Sequence, residues 1–129
     1  MRKISYIQIA LALSMTLFLS QCYYDQIVYE EPEPPAGDIS FLNEIIPIFN
    51  ASCNISGCHN TGGIAPDLSP AKAYNALFSG SYIDRDVPEN SELYQWMAGN
   101  RGLSMPISGP NATYNATVLQ WIKQGAKNN

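Results

Sequence analysis

Cys53-Asn54-Ile55-Ser56-Gly57-Cys58-His59 sets two thiols ahead of an imidazole, and His59 is the only histidine of the chain. Residues of these types in this order do one recognisable piece of chemistry. Each thiol adds to a vinyl group of a haem, and the adjacent imidazole presents a nitrogen to the iron. The usual spacing leaves two residues between the cysteines, whereas here four intervene, Asn54 to Gly57. Gly57 gives the longer loop backbone freedom that other residues lack. The same residues also allow a small disulfide loop closed by Cys53 and Cys58 in an oxidising compartment. A structural zinc site wants four ligands, and two cysteines plus one histidine supply three.

Haem attachment of this kind takes place outside the cytoplasm, so the N-terminus bears on it. Met1-Arg2-Lys3 is followed by an uncharged, apolar run from Ile4 to Tyr24, the pattern of an export signal. Leu19-Ser20-Gln21-Cys22 resembles the end of a bacterial lipoprotein signal. That resemblance implies cleavage after residue 21 and lipid on Cys22, although Gln21 stands where a small residue is expected. An uncleaved membrane anchor and an ordinary cleaved signal remain open, since about 20 apolar residues suffice to span a bilayer. With Cys22 lipidated, the three cysteines of the chain divide into an anchor and the Cys53/Cys58 pair.

Charge narrows the partners. The chain carries 7 Lys+Arg against 11 Asp+Glu, net -4. Loss of residues 1–21 removes Arg2 and Lys3, leaving 5 against 11, net -6. A balance of that sign disfavours nucleic acid and electrostatic docking on anionic lipid. Residues 22–38 read as a tether, because Glu30-Glu31-Pro32-Glu33-Pro34-Pro35 is acidic, proline-rich and extended by its composition. Residues 39–129 then form one small domain. A domain of this size buries a limited core, and a haem would serve it as an apolar plate to pack around.

The elements that must position these residues read as short helices joined by loops, with no alternating strand. Ser40 caps a helix through Phe41, Ile45 and Phe49 that Pro47 should kink. Ser69-Pro70 opens another, with Tyr74, Leu77 and Phe78 on one face and Gly80 as its stop. Leu93, Tyr94 and Met97 share a face of a third. Tyr114, Val118, Trp121 and Ile122 share a face of the last, which ends at Gly125. The predicted class is all-α.

In order and spacing these pieces resemble a small monohaem cytochrome c domain of the kind found in bacterial lipoproteins and in planctomycete-type proteins. Ile46-Pro47-Ile48-Phe49 resembles the segment before the haem cysteines, Ala65-Pro66-Asp67-Leu68 the loop after them, and Val87 to Tyr94 the proline-to-helix segment. Ser104-Met105-Pro106 resembles the distal ligand loop, and Trp121-Ile122-Lys123-Gln124-Gly125-Ala126 the closing helix. The resemblance implies a bundle of short helices around one covalent haem c, with thioethers at Cys53 and Cys58. It implies His59 and Met105 as iron ligands and the Pro66 carbonyl as acceptor for the proximal imidazole. Met97 is the rival thioether, but its helical position reads as core. Arg85 and Arg101 are the candidate cations for haem propionates.

The expected function is electron transfer and not catalysis: a haem-bearing domain, lipid-anchored in a bacterial cell envelope through Cys22, exchanging electrons with redox partner proteins and binding no nucleic acid. Two other classes stay in view. One is a haem enzyme, such as a weak peroxidase, with an open sixth position. The other is a haem-free interaction module closed by a disulfide.

Overall fold

The computed structural model describes residues 32–33 and 35–129, which belong to a compact unit spanning Glu31–Asn129. The expected export signal over 1–21, the expected lipidation site Cys22 and the expected tether as far as residue 31 lie outside the described residues. Among the described residues the elements are all helical, in agreement with the expected class, and none of these helices is long and apolar enough to cross a membrane.

The first helical stretch has two parts. A π-helical turn, Phe41–Ile45, runs into α1, Ile46–Ser52, so the irregularity falls just before Pro47, which cannot supply an amide to the ladder. Ser40 caps the turn, its hydroxyl accepting from the Asn43 amide at 3.2 Å. The Ser40 amide in turn donates to the Glu44 carboxylate, a reciprocal arrangement of the capping-box type. Asn129 meets two more first-turn amides: Phe41 N–H donates to its side-chain oxygen at 3.0 Å and Leu42 N–H to its carbonyl at 3.0 Å.

Helix α2, Ala73–Ser79, starts later than Ser69-Pro70 predicts. Asp67 accepts the Ser69 amide at 3.1 Å, and residues 69–72 form a separate turn whose Ser69 carbonyl accepts from Lys72 and Ala73. A 3-10 turn, Pro88–Asn90, precedes α3, Glu92–Met97. Ser91 between them is buried, and its hydroxyl bonds both the amide and the carbonyl of Asp84, at 2.9 and 3.2 Å. Helix α4, Ala112–Lys123, is capped by Asn111, which accepts the Tyr114 amide at 3.0 Å, and it buries Thr117, Val118, Trp121 and Ile122.

The core is an aromatic cluster that joins the chain ends to the middle. Phe41 lies 5.2 Å from Trp121, 5.3 Å from Tyr74 and 6.4 Å from Phe49, centroid to centroid. Trp121 is fully buried and its indole N–H donates to the Lys127 carbonyl at 2.9 Å, which satisfies the one polar atom of the ring. Phe49, Leu77 and Trp121 are all 0% exposed. These side chains, together with Leu93, are expected from the sequence to need a cofactor as packing partner; the polypeptide buries Phe49, Leu77 and Trp121 by itself, and Leu93 keeps 8% exposure. The surfaces left unfilled lie instead in the long loops 53–72 and 98–111.

Candidate functional site

Those two loops face each other across a pair of cavities. One, of about 300 Å³, is lined by Cys53, Ile55, Cys58, His59, Ile64, Met105 and their neighbours. The other, of about 190 Å³, is lined by Cys53, His59, Pro66, Leu68, Met97 and Met105 among others. Cys53, His59 and Met105 line both, so residues 46 or more positions apart in sequence meet at one place. Among the described residues no Asp, Glu, Lys or Arg lines either cavity, and the walls are chiefly apolar.

The cysteine loop is positioned from its backbone. Helix α1 ends at Ser52, and the Phe49 carbonyl takes the amides of both Cys53 and Asn54, at 2.8 and 2.7 Å. The Cys53 carbonyl then accepts the His59 amide at 3.1 Å, closing the whole Cys53–His59 segment into one loop. Gly57 sits at φ +80° inside it, in the left-handed region that glycine enters without a Cβ penalty. Both thiols are free. Cys53 is buried, and burial first, then the neighbouring Cys58, pushes its pKa up to about 11, so it holds its proton at neutral pH.

His59 is oriented by a carbonyl. Its Nδ1 lies 3.1 Å from the Ile64 oxygen; a carbonyl only accepts, so Nδ1 carries the hydrogen and Nε2 keeps the lone pair for a metal. The acceptor is therefore Ile64 where Pro66 was expected; Pro66 lines the second cavity instead. The displacement follows from a tight turn. Gly63 donates to Asn60 and Ile64 to the Cys58 carbonyl, each at 2.8 Å, which brings the Ile64 carbonyl back over the ring. A Cβ on Gly63 would lie 2.2 Å from the Cys58 oxygen, so only glycine fits. Neither Gly63 nor Ile64 stood out in the sequence; a glycine pair after the histidine was the one available signal. Asp67 holds the far end of this loop, accepting from Ser69, Thr61 and Lys72. Those bonds, with Ser69 the largest, lower its pKa to about 2.

Met105 is half-buried, in a loop fastened to α3 by its own amide, which donates to the Trp96 carbonyl at 3.0 Å. Met97 is buried to 2% exposure within the core and touches only the second cavity. The expected propionate cations are engaged elsewhere. Arg85 stacks over Phe78 at 4.3 Å and donates to Tyr74 and to the Ala126 carbonyl, and Arg101 pairs with Glu92.

No family model, no curated protein and no solved structure matches this chain. Among the described residues no three of His, Cys, Asp and Glu form a group that could hold a metal ion.

The donor set fits a haem of the c type. Two thiols, one imidazole whose Nε2 has no partner among the described residues, and one thioether border a largely apolar space, and these are donor types that would hold such a group.

Proposed function

We propose that this protein is an electron carrier, a cytochrome c-like bundle that would hold one haem c through Cys53 and Cys58, with His59 and Met105 as the residues that would ligate its iron. The observation that carries the proposal is that Cys53, His59 and Met105 all line both cavities of the two facing loops. When bound, the group supplies reversible one-electron chemistry at iron. The chain supplies the rest. The Ile64 carbonyl fixes the His59 tautomer and raises the basicity of Nε2. The Met105 thioether, a soft and neutral donor, favours the reduced metal. Leu68, Leu93, Trp96 and Met97 give the second cavity an apolar lining, and a low local polarity would raise the potential in the same direction. In this reading Cys22 bears lipid, the domain stays at a membrane of a bacterial cell envelope, and its partners are redox proteins.

Separating a carrier from a haem enzyme requires the sixth position to be read. The ferric protein should show the near-infrared sulfur-to-iron band, and the ferrous protein should bind carbon monoxide poorly. Met105→Ala should abolish the band and admit carbon monoxide, while Met97→Ala should lower stability and keep the band. Ready carbon monoxide binding by the unmodified protein, unchanged by Met105→Ala, would overturn the carrier in favour of an enzyme with an open site.

A further inference from the structure

A third hollow, of about 470 Å³, lies between α3 and α4, away from both cysteines. Its lining is small and apolar along α4 and the end of α3, with Ala98, Ala112 and Ala116, and is bounded by Tyr94, Leu119 and Lys123. Pro32 and Glu33 line the same hollow, so the chain ahead of the first helical turn passes along it. That segment is pinned a few residues later. The Gln124 side-chain amide uses both of its ends on it: Oε1 accepts the Ile39 amide at 2.7 Å and Nε2 donates to the Gly37 carbonyl at 2.8 Å. Ile39 is 2% exposed, and Lys127 lies 3.7 Å from Asp38.

From this placement we infer that the α3/α4 groove is a binding site for an extended, acidic, proline-rich peptide, and that the chain's own Pro32–Glu33 stretch is its resident ligand. Proline pre-sets an extended backbone and so loses little freedom on docking, and grooves that take such peptides present an aromatic ring beside a shallow floor. Tyr94 and the alanines provide both. Pro32 has no amide to leave unpaired, and Lys123, whose ammonium pairs with Glu89 at 2.8 Å, lines the same hollow as Glu33. The Asn115 side-chain oxygen is buried in the groove lining without a hydrogen-bond partner among the described residues, while its nitrogen donates to the Met97 carbonyl at 3.1 Å. The segment from Pro32 to Asp38 is then withdrawn from the linker, shortening its extended reach by roughly 25 Å. Helix α3 is the shared wall. Tyr94 borders the groove, Trp96 and Met97 border the second cavity, and the Trp96 carbonyl holds the Met105 amide. The inference does not depend on what fills the cavities.

The test uses the whole 129-residue chain, isotope-labelled, in detergent micelles. Amide resonances and hydrogen exchange are compared among the unmodified protein, Pro32→Gly/Glu33→Gly and Gln124→Ala. The double variant should move the resonances of Ala98, Ala116 and Leu119 and leave those of Phe49 and Leu77 in place. Gln124→Ala should speed exchange of the Ile39 amide about tenfold, the effect of one lost hydrogen bond. Groove resonances that coincide in the unmodified protein and the double variant overturn the inference. So does an Ile39 amide whose exchange ignores Gln124→Ala.

Discussion

Gly63 is the residue on which the His59 geometry turns. With the Cys58 oxygen 2.2 Å from where its Cβ would stand, Gly63→Ala must push apart the turn that carries the Ile64 carbonyl. A close backbone contact of this kind costs roughly 1–3 kcal/mol, and it acts on the acceptor for His59 Nδ1. The expected outcome is a lower denaturation midpoint together with weakened axial ligation by His59, measurable as a shifted Soret band in the haem-loaded protein. Gly57→Ala, at φ +80° with open space around it, should cost about 1–2 kcal/mol for the left-handed backbone alone and leave the ligand field unchanged. Asp67 makes a pH prediction. Its folded pKa lies near 2, below the ordinary 3.8. Its contribution is therefore present above the unfolded pKa and is lost as pH falls through the folded one. Urea midpoints measured from pH 5 to pH 2 should fall in that window, and Asp67→Asn should flatten the fall. Because Asp67 is exposed to solvent screening, added salt should shrink the difference.

At the scale of elements, the helices divide into those that make the core and those that frame the cavities. The turn at Phe41–Ile45 with α1, α2 and α4 closes an aromatic cluster in which Phe41, Phe49 and Trp121 are all but inaccessible. Helix α3 and the long loops build the cavities. Haem-free protein should therefore keep most of its far-ultraviolet helical signal and unfold cooperatively, with rapid exchange confined to loops 53–72 and 98–111. Phe49→Ala or Trp121→Ala should cost about 3–5 kcal/mol with or without the cofactor. The sequence led to the opposite expectation, that the porphyrin completes the core. Its apolar faces were read correctly residue by residue, at Leu77, Leu93, Met97, Val118, Trp121 and Ile122, but periodicity says which face is inward and not what it meets. The contact that closes the core, Phe41 on Trp121, spans most of the chain and leaves no local trace. The boundary set by the Ser40 cap was legible; the Asn111 cap that opens α4 was not read from the sequence. The start of α2 was not, because Asp67 and Ser69 form a turn of their own ahead of it.

For the whole molecule, the convergence of Cys53, His59 and Met105 on shared cavities was foreseeable only from the order of several weak motifs, since no single one spans the two loops. What escaped the sequence is the carbonyl behind His59. Which of Ile64 or Pro66 supplies it depends on how tightly the Gly63 turn closes, a three-dimensional matter. Arg85 and Arg101 meet Phe78 and Glu92, contacts that the sequence did not indicate, because exposed cations do not announce whom they meet.

The central claim is that Cys53 and Cys58 hold a haem. It is tested most directly by the intact mass and visible spectrum of the chain made alongside haem maturation machinery, after acid-acetone extraction. The account predicts a red protein heavier by one haem, losing covalent attachment at one thiol in Cys53→Ala or Cys58→Ala. A colourless protein two mass units lighter than its reduced form, with Cys53 and Cys58 joined as a disulfide, would contradict it.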